Sequence, residues 1–139
     1  MLLLDLSAWS RIEQKALDEE RAAMVSAWMN DGLLATCLPF LLEAGYSAQS
    51  GSDHIAKMTE LCHLPHVPIT PQVERRAQQA QRELAQIGHH RLAPADLIIA
   101  ACAEEVEAGV LHYDGDYDVI AQHTSLQFAS EWLARPGSL

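Results

Sequence analysis

The sequence predicts an α/β sandwich built on a parallel sheet, and three observations lead there. Short apolar runs alternate with longer segments of helical periodicity, the pattern of parallel strands joined by helical crossovers. The 139 residues, 49% of them hydrophobic, suffice for one domain around a single core. Acids stand at or near the ends of several apolar runs, which is where sites form in such sheets.

Taken in order, Leu2 to Asp5 is a brief apolar strand ending in an acid. From Ser7, a capping residue, to about Asn30 the pattern is helical, with Ile12, Ala16 and Leu17 followed by Ala23, Ala27 and Trp28. Asp31-Gly32 signals a turn, and Leu33 to Cys37 reads as a second buried strand. Pro39 suits a first helical turn and opens a helix to about Ala48, and Gly51-Ser52-Asp53 begins another through Leu61. Pro65 to Ile69 is a short extended segment. Thr70-Pro71 caps and opens a long polar helix to about Ile87, stopped by Gly88. Pro94 opens a helix from Ala95 to about Ala108, and Val110 to Tyr113 has strand character. Asp116 to Ala121 reads as a helical turn or two, and Leu126-Gln127-Phe128 as a last strand. No linker or repeat divides the chain, so residues 1–134 are expected to form a single domain and residues 135–139 a frayed tail.

Nine Lys and Arg against 19 Asp and Glu give a formal charge of −10, which at first speaks against a nucleic-acid partner. No apolar run approaches the ~20 residues of a membrane span. Met1-Leu2-Leu3-Leu4 is closed by Asp5 without a basic flank and does not read as a signal peptide. Cys37, Cys62 and Cys102 are odd in number and form no CxxC, as expected of reduced thiols in a cytoplasm.

The chemistry-bearing residues are acids. Asp5 ends the first strand and Asp114 follows the fourth, while Glu43 and Asp96 are carboxylates in otherwise apolar helical starts. Singly, Asp96 could serve only the helix macrodipole, worth about 0.3–1 kcal/mol, and Glu43 could be a solvated face residue. Together, parallel topology gathers them at one edge, where close carboxylates resist joint ionisation. No Lys or Arg lies within four residues of Asp5, Glu43 or Asp114, although Arg91 is five before Asp96. A hard divalent cation, Mg²⁺ or Mn²⁺, is the simpler compensation for all-oxygen ligands. The run Asp114-Gly115-Asp116-Tyr117-Asp118 does not complete a calcium loop, since Val119 and Ser125 stand where glycine and glutamate are needed. Neither Cys62-His63-x-x-His66 nor His89-His90 completes a zinc motif, and no P-loop, GxGxxG or GxSxG occurs.

The order of these acids resembles the PIN-domain family, and within it the VapC-like toxins of type II toxin–antitoxin systems. The resemblance spans nearly the whole chain. It rests on Leu3-Leu4-Asp5-Leu6-Ser7-Ala8-Trp9, Leu41-Leu42-Glu43, Ala95-Asp96-Leu97-Ile98-Ile99-Ala100-Ala101, His112 to Ala121, and the closing Glu131-Trp132-Leu133. It implies a PIN-like three-layer sandwich with a central, mostly parallel five-stranded sheet flanked by helices. It also implies a Mg²⁺-dependent endoribonuclease, with Mn²⁺ as a possible substitute, acting on structured cellular RNA. By motif match, Asp5, Glu43, Asp96 and Asp114 are the metal-binding acids, and Asp116 matches a further, more variable one. Ser7 matches a small hydroxyl residue that supports the first acid. His112 departs from the pattern, because many PIN domains carry Thr or Ser two residues before the fourth acid. Asp118 has no family role and reads as a helix-cap or surface acid.

Two other functions remain open on the sequence: a catalytically silent PIN-like interaction module and a structure-specific DNA nuclease. The apolar residues between Ile12 and Trp28, with Ile55 and Met58, serve either ordinary packing or a groove for an antitoxin helix, and the resemblance also implies a homodimer. Assigning five acids to the site leaves the rest of the chain at −10 + 5 = −5. Arg75, Arg76, Arg82 and Arg91 then mark either a phosphate contact or a solvated helix face.

Overall fold

The structure is a computed structural model that describes residues 1–89 and 91–139. Five strands form one sheet in the order β3-β2-β1-β4-β5. They are β1 (Leu2–Leu4), β2 (Leu34–Cys37), β3 (His66–Val67), β4 (Gly109–His112) and β5 (Ala129–Trp132), and every neighbouring pair is parallel. Among the described residues seven helices flank the sheet: α1 (Leu6–Glu13), α2 (Glu19–Asn30), α3 (Leu38–Tyr46), α4 (Gly51–Leu61), α5 (Pro71–Gln86), α6 (Pro94–Glu105) and α7 (Asp116–His123). The expected α/β sandwich is the observed fold.

The sheet is buried because its inner strands carry no polar alternation. β2 and β4 are buried at every residue, and Leu3, Leu4, Leu34, Val110 and Leu111 are fully enclosed. That is the signature of a parallel sheet covered on both faces. Helix α6 is the most deeply set helix, with Asp96, Leu97 and Ile99 to Ala103 all buried. Its alanines, with Ala77 and Ala80 of α5, present small side chains where the two helices meet.

The chain departs from the sequence reading at three points. The helical pattern over 7–30, read as two successive apolar stretches without a break, is two helices separated at Gln14 to Asp18, where Lys15 takes a left-handed φ of 55°. Asp18 restarts the helix by accepting the Arg21 N–H. Asp5, not Ser7, caps α1, and its carboxylate accepts the Ser7 N–H at 2.9 Å. The last strand is Ala129–Trp132 rather than 126–128. The Leu126 and Gln127 N–H groups are taken by Thr124 Oγ1 and Glu104 Oε1, so neither can join a ladder, and pairing starts where Ala129 meets Gly109. At the chain end, the Leu139 N–H donates to the Tyr113 hydroxyl at 2.9 Å.

Gly109 sits between β1 and β5. A Cβ there would lie 2.8 Å from Leu2 Cδ2 and 2.9 Å from the Ala129 carbonyl oxygen. Leu2 can rotate, but the strand carbonyl cannot move without opening the sheet. Gly109→Ala is expected to destabilise the domain by about 2 kcal/mol, read as a lower urea midpoint at unchanged slope.

Candidate metal centre

The chain winds outward from β1 to β2 and β3, then returns to place β4 on the other side of β1. This reversal leaves a crevice at the carboxyl ends of β1 and β4, the switch point at which open α/β sheets bind ligands. Leu4 pairs with Leu111, and the Asp5 N–H donates to the Leu111 carbonyl at 3.1 Å. Asp5 therefore leaves the sheet beside the segment carrying Asp114. Helix α3 brings Glu43 to the crevice, the first turn of α6 brings Asp96, and the start of α7 brings Asp116. Asp5, Ser7, Ser10, Glu43, Ser47, Asp96, Asp114 and Asp116 line one open cavity of about 400 Å³. All five acids named from the sequence face it, with Ser7 among them.

Within this set, Asp96, Asp114 and Asp116 can each offer a carboxylate oxygen within 4.8 Å of the others. Asp5 is held from two sides. Its Oδ2 accepts the Ser7 hydroxyl and N–H, and its Oδ1 accepts the Tyr117 hydroxyl at 2.7 Å. Ser7 Oγ in turn accepts the Tyr113 N–H at 2.9 Å, tying α1 to the Asp114 segment. Asp114 Oδ1 accepts the Asp116 N–H at 3.0 Å, a short loop that turns the chain into α7.

A PIN-domain family profile matches residues 2–122. The chain belongs to the PIN-domain family. Two curated relatives from Mycobacterium tuberculosis are similar over almost their whole length. Ribonuclease VapC18 is 37% identical over 139 residues, covering 98% of this chain and 97% of that protein. Ribonuclease VapC21 is 38% identical over 138 residues, with coverage of 98% and 96%. Among solved structures, DNA-bound VapBC from Salmonella typhimurium aligns at a TM-score of 0.75 and 18% identity, over 96% of this chain and 100% of that one. FitAcB from Neisseria gonorrhoeae aligns at 0.67 and 18% identity, over 89% and 95%. At such identities these structures speak for the fold.

The acids of this PIN domain carry the electrostatic marks of a cation site. Burial pushes the Asp96 carboxyl up to about 7, aided by the charges of Asp5 and Asp114. Glu43 is raised by burial and by Asp5, and Asp116 by burial and by Asp114. No Lys, Arg or His is among the described residues lining the cavity. An all-carboxylate set without a basic partner fits a hard divalent cation.

The sequence reading missed Tyr117. Its hydroxyl is buried between Asp5 and Asp96, 3.3 Å from Asp96 Oδ1, and burial beside these acids raises its pKa well above the ordinary value. A phenol has one proton, and the shorter contact gives it to Asp5. Asp118, half-buried in the first turn of α7, is tied down beyond a surface acid: it accepts the Ser130 hydroxyl at 2.7 Å and the Trp132 indole N–H at 2.9 Å, joining α7 to β5. Arg76 is committed elsewhere, with bonds of 2.8 and 3.0 Å to Glu104 and one of 3.0 Å to the Ser125 carbonyl. Arg75 donates to Gln72, while Arg82 borders a separate shallow cleft with Gln78, Gln81 and Ala85. Among the described residues the zinc candidates do not assemble: His66 bonds Thr36 and Cys62 donates to the Thr59 carbonyl. His90 lies outside the described residues.

Asp96 predicts a pH dependence. Its folded pKa of about 7 exceeds its ordinary 3.8, so between these values the native state holds the extra proton. The contribution of Asp96 to the stability of the metal-free protein therefore falls as pH rises from about 4 to about 7 and then levels. In a chelating buffer at pH 8, Asp96→Asn is expected to melt about 5 °C or more above the parent, and at pH 4 to show little difference.

Proposed function

We propose that this chain is a ribonuclease toxin of a VapBC-type pair, which hydrolyses RNA at the acidic crevice with Mg²⁺, or Mn²⁺ in its place. The observation that carries the reading is the convergence of Asp5, Glu43, Asp96, Asp114 and Asp116 on one cavity at the switch point. The relatives named ribonuclease supply the substrate class. The complete acid set argues against a silent interaction module, which has no use for mutually repelling buried carboxylates.

In this reading Asp96, Asp114 and Asp116 hold the cation, and Asp5 completes the set from the opposite strand. A bound Mg²⁺ supplies Lewis acidity and a water of lowered pKa for attack on the phosphodiester. Ser7 and Tyr117 orient Asp5 by donating to both of its oxygens. Glu43, raised by burial and by Asp5, is suited to take a proton at a carboxylate oxygen from the attacking water. The −10 chain meets RNA chiefly through the metal, so binding is weak and salt-dependent.

An antitoxin partner has support beside the site. Helix α2 buries only Val25 of its twelve residues, and Ile12, Leu17, Ala22, Val25 and Met29 line a cleft between α1 and α2. Such a cleft suits the apolar face of a partner helix. Structured cellular RNA as target, a homodimer and a cytoplasmic setting belong to the same proposal.

With purified protein and cellular RNA, cleavage is expected in Mg²⁺ and lost on chelation. Asp5→Asn and Asp96→Asn should each lower the rate at least about a hundredfold while far-ultraviolet circular dichroism is unchanged. Full cleavage by Asp96→Asn would sink the reading.

A further inference from the structure

Behind Asp114 lies a half-buried polar chain, with the His112 ring fully enclosed, that the hydrolytic reading does not use. β4 ends at His112, so the Asp114 N–H has left the sheet and no strand carbonyl is there to receive it. The His112 ring receives it instead: Asp114 N–H donates to Nδ1 at 3.2 Å. An accepting Nδ1 requires a neutral ring with its proton on Nε2. That Nε2 lies 2.7 Å from Ser130 Oγ, and the Ser130 hydroxyl passes its own proton toward Asp118 Oδ1 at 2.7 Å. The Trp132 indole N–H donates to the other Asp118 oxygen at 2.9 Å. Every donor in the chain thus has one direction, and the Asp118 carboxylate terminates it.

The ring cannot swing out of this arrangement. It is fully buried, stacked on Tyr117 at 4.9 Å between centroids and met edge-on by Trp132 at 5.0 Å. The His112 carbonyl accepts the Leu133 N–H at 2.8 Å, which adds a second tie to the segment after β5.

We propose that His112 is a positioning residue, which fixes the Asp114 backbone for metal binding through an Nδ1 acceptor whose tautomer Ser130 and Asp118 enforce. Edge strand β5 thereby becomes part of the support of the acid site, although it contributes no residue to the cavity. The inference rests on the reading of Asp114 as a metal ligand.

Asparagine and glutamine separate the two ends of the ring, since the Asn side-chain oxygen mimics Nδ1 and the Gln amide nitrogen mimics Nε2. His112→Asn is expected to keep the Asp114 amide protected from hydrogen exchange and to hold the Mn²⁺ Kd within about threefold of the parent. His112→Gln should expose that amide and weaken Mn²⁺ at least about tenfold, as loss of an outer-sphere partner does. Calorimetric titration gives the affinities, and melting in chelator shows whether the two variants are equally stable. If either variant fails to fold, nitrogen-15 NMR of the unaltered, chelator-treated protein decides: a proton on Nε2 supports the proposal and one on Nδ1 overturns it. Equal Mn²⁺ affinities in the two folded variants, beside normal binding by the parent, overturn this proposal alone. A parent protein that binds no Mn²⁺ overturns the metal-centre reading and this proposal with it.

Discussion

The ends of β1 and β4 lie side by side, and the chemistry of this protein depends on that adjacency. The register that pairs Leu4 with Leu111 delivers Asp5 and the Asp114 segment to the same few ångströms. α3, α6 and α7 then add Glu43, Asp96 and Asp116 around the same opening. Burial, with the charges of Asp5 and Asp114 added, makes Asp96 harder to ionise, and Glu43 and Asp116 are raised in the same way by burial and a neighbouring acid. The fold therefore gathers acids at an opening that no Lys, Arg or His lines among the described residues.

Uncharged donors keep the acids in place. The Ser7 hydroxyl and N–H, the Tyr117 hydroxyl and the Asp116 N–H all donate to candidate ligands without cancelling their charge. A lysine or arginine in these positions would settle the apo site and compete with a cation. Arg76 illustrates the contrast, because its guanidinium is spent on Glu104 and the Ser125 carbonyl, away from the cavity. Neutral support around charged ligands is how a protein preorganises a site without closing it to metal.

Much of this was legible along the chain. The alternation of apolar runs and helical segments gave the α/β architecture, because a parallel sheet needs continuous hydrophobic strands and intervening helices. The acids stood out as charges in apolar surroundings, and the family pattern gathered them into one site. Other features were hidden. The break between α1 and α2 carries no glycine or proline, only a non-glycine residue at positive φ. Leu126 to Phe128 has the composition of a strand, yet side chains from Thr124 and Glu104 had already claimed its N–H groups. Tyr117 looked like an ordinary aromatic at the start of a short helix, because nothing local to it announces two carboxylates 112 and 21 residues away in sequence.

By itself the sequence determined what is set by composition and period: the fold class, the strand ends that carry acid, and the all-carboxylate character of the candidate site. Tertiary structure alone decided which neutral groups hold those acids and from which direction. His112, Ser130, Asp118 and Trp132 become one hydrogen-bonded chain only because β4 and β5 pair with Val110 opposite Ser130 and His112 opposite Trp132. The reason is physical. Hydrophobic periodicity is a local property of the chain, whereas a buried hydrogen bond needs its partner within about 3 Å, and only the packed fold fixes such distances.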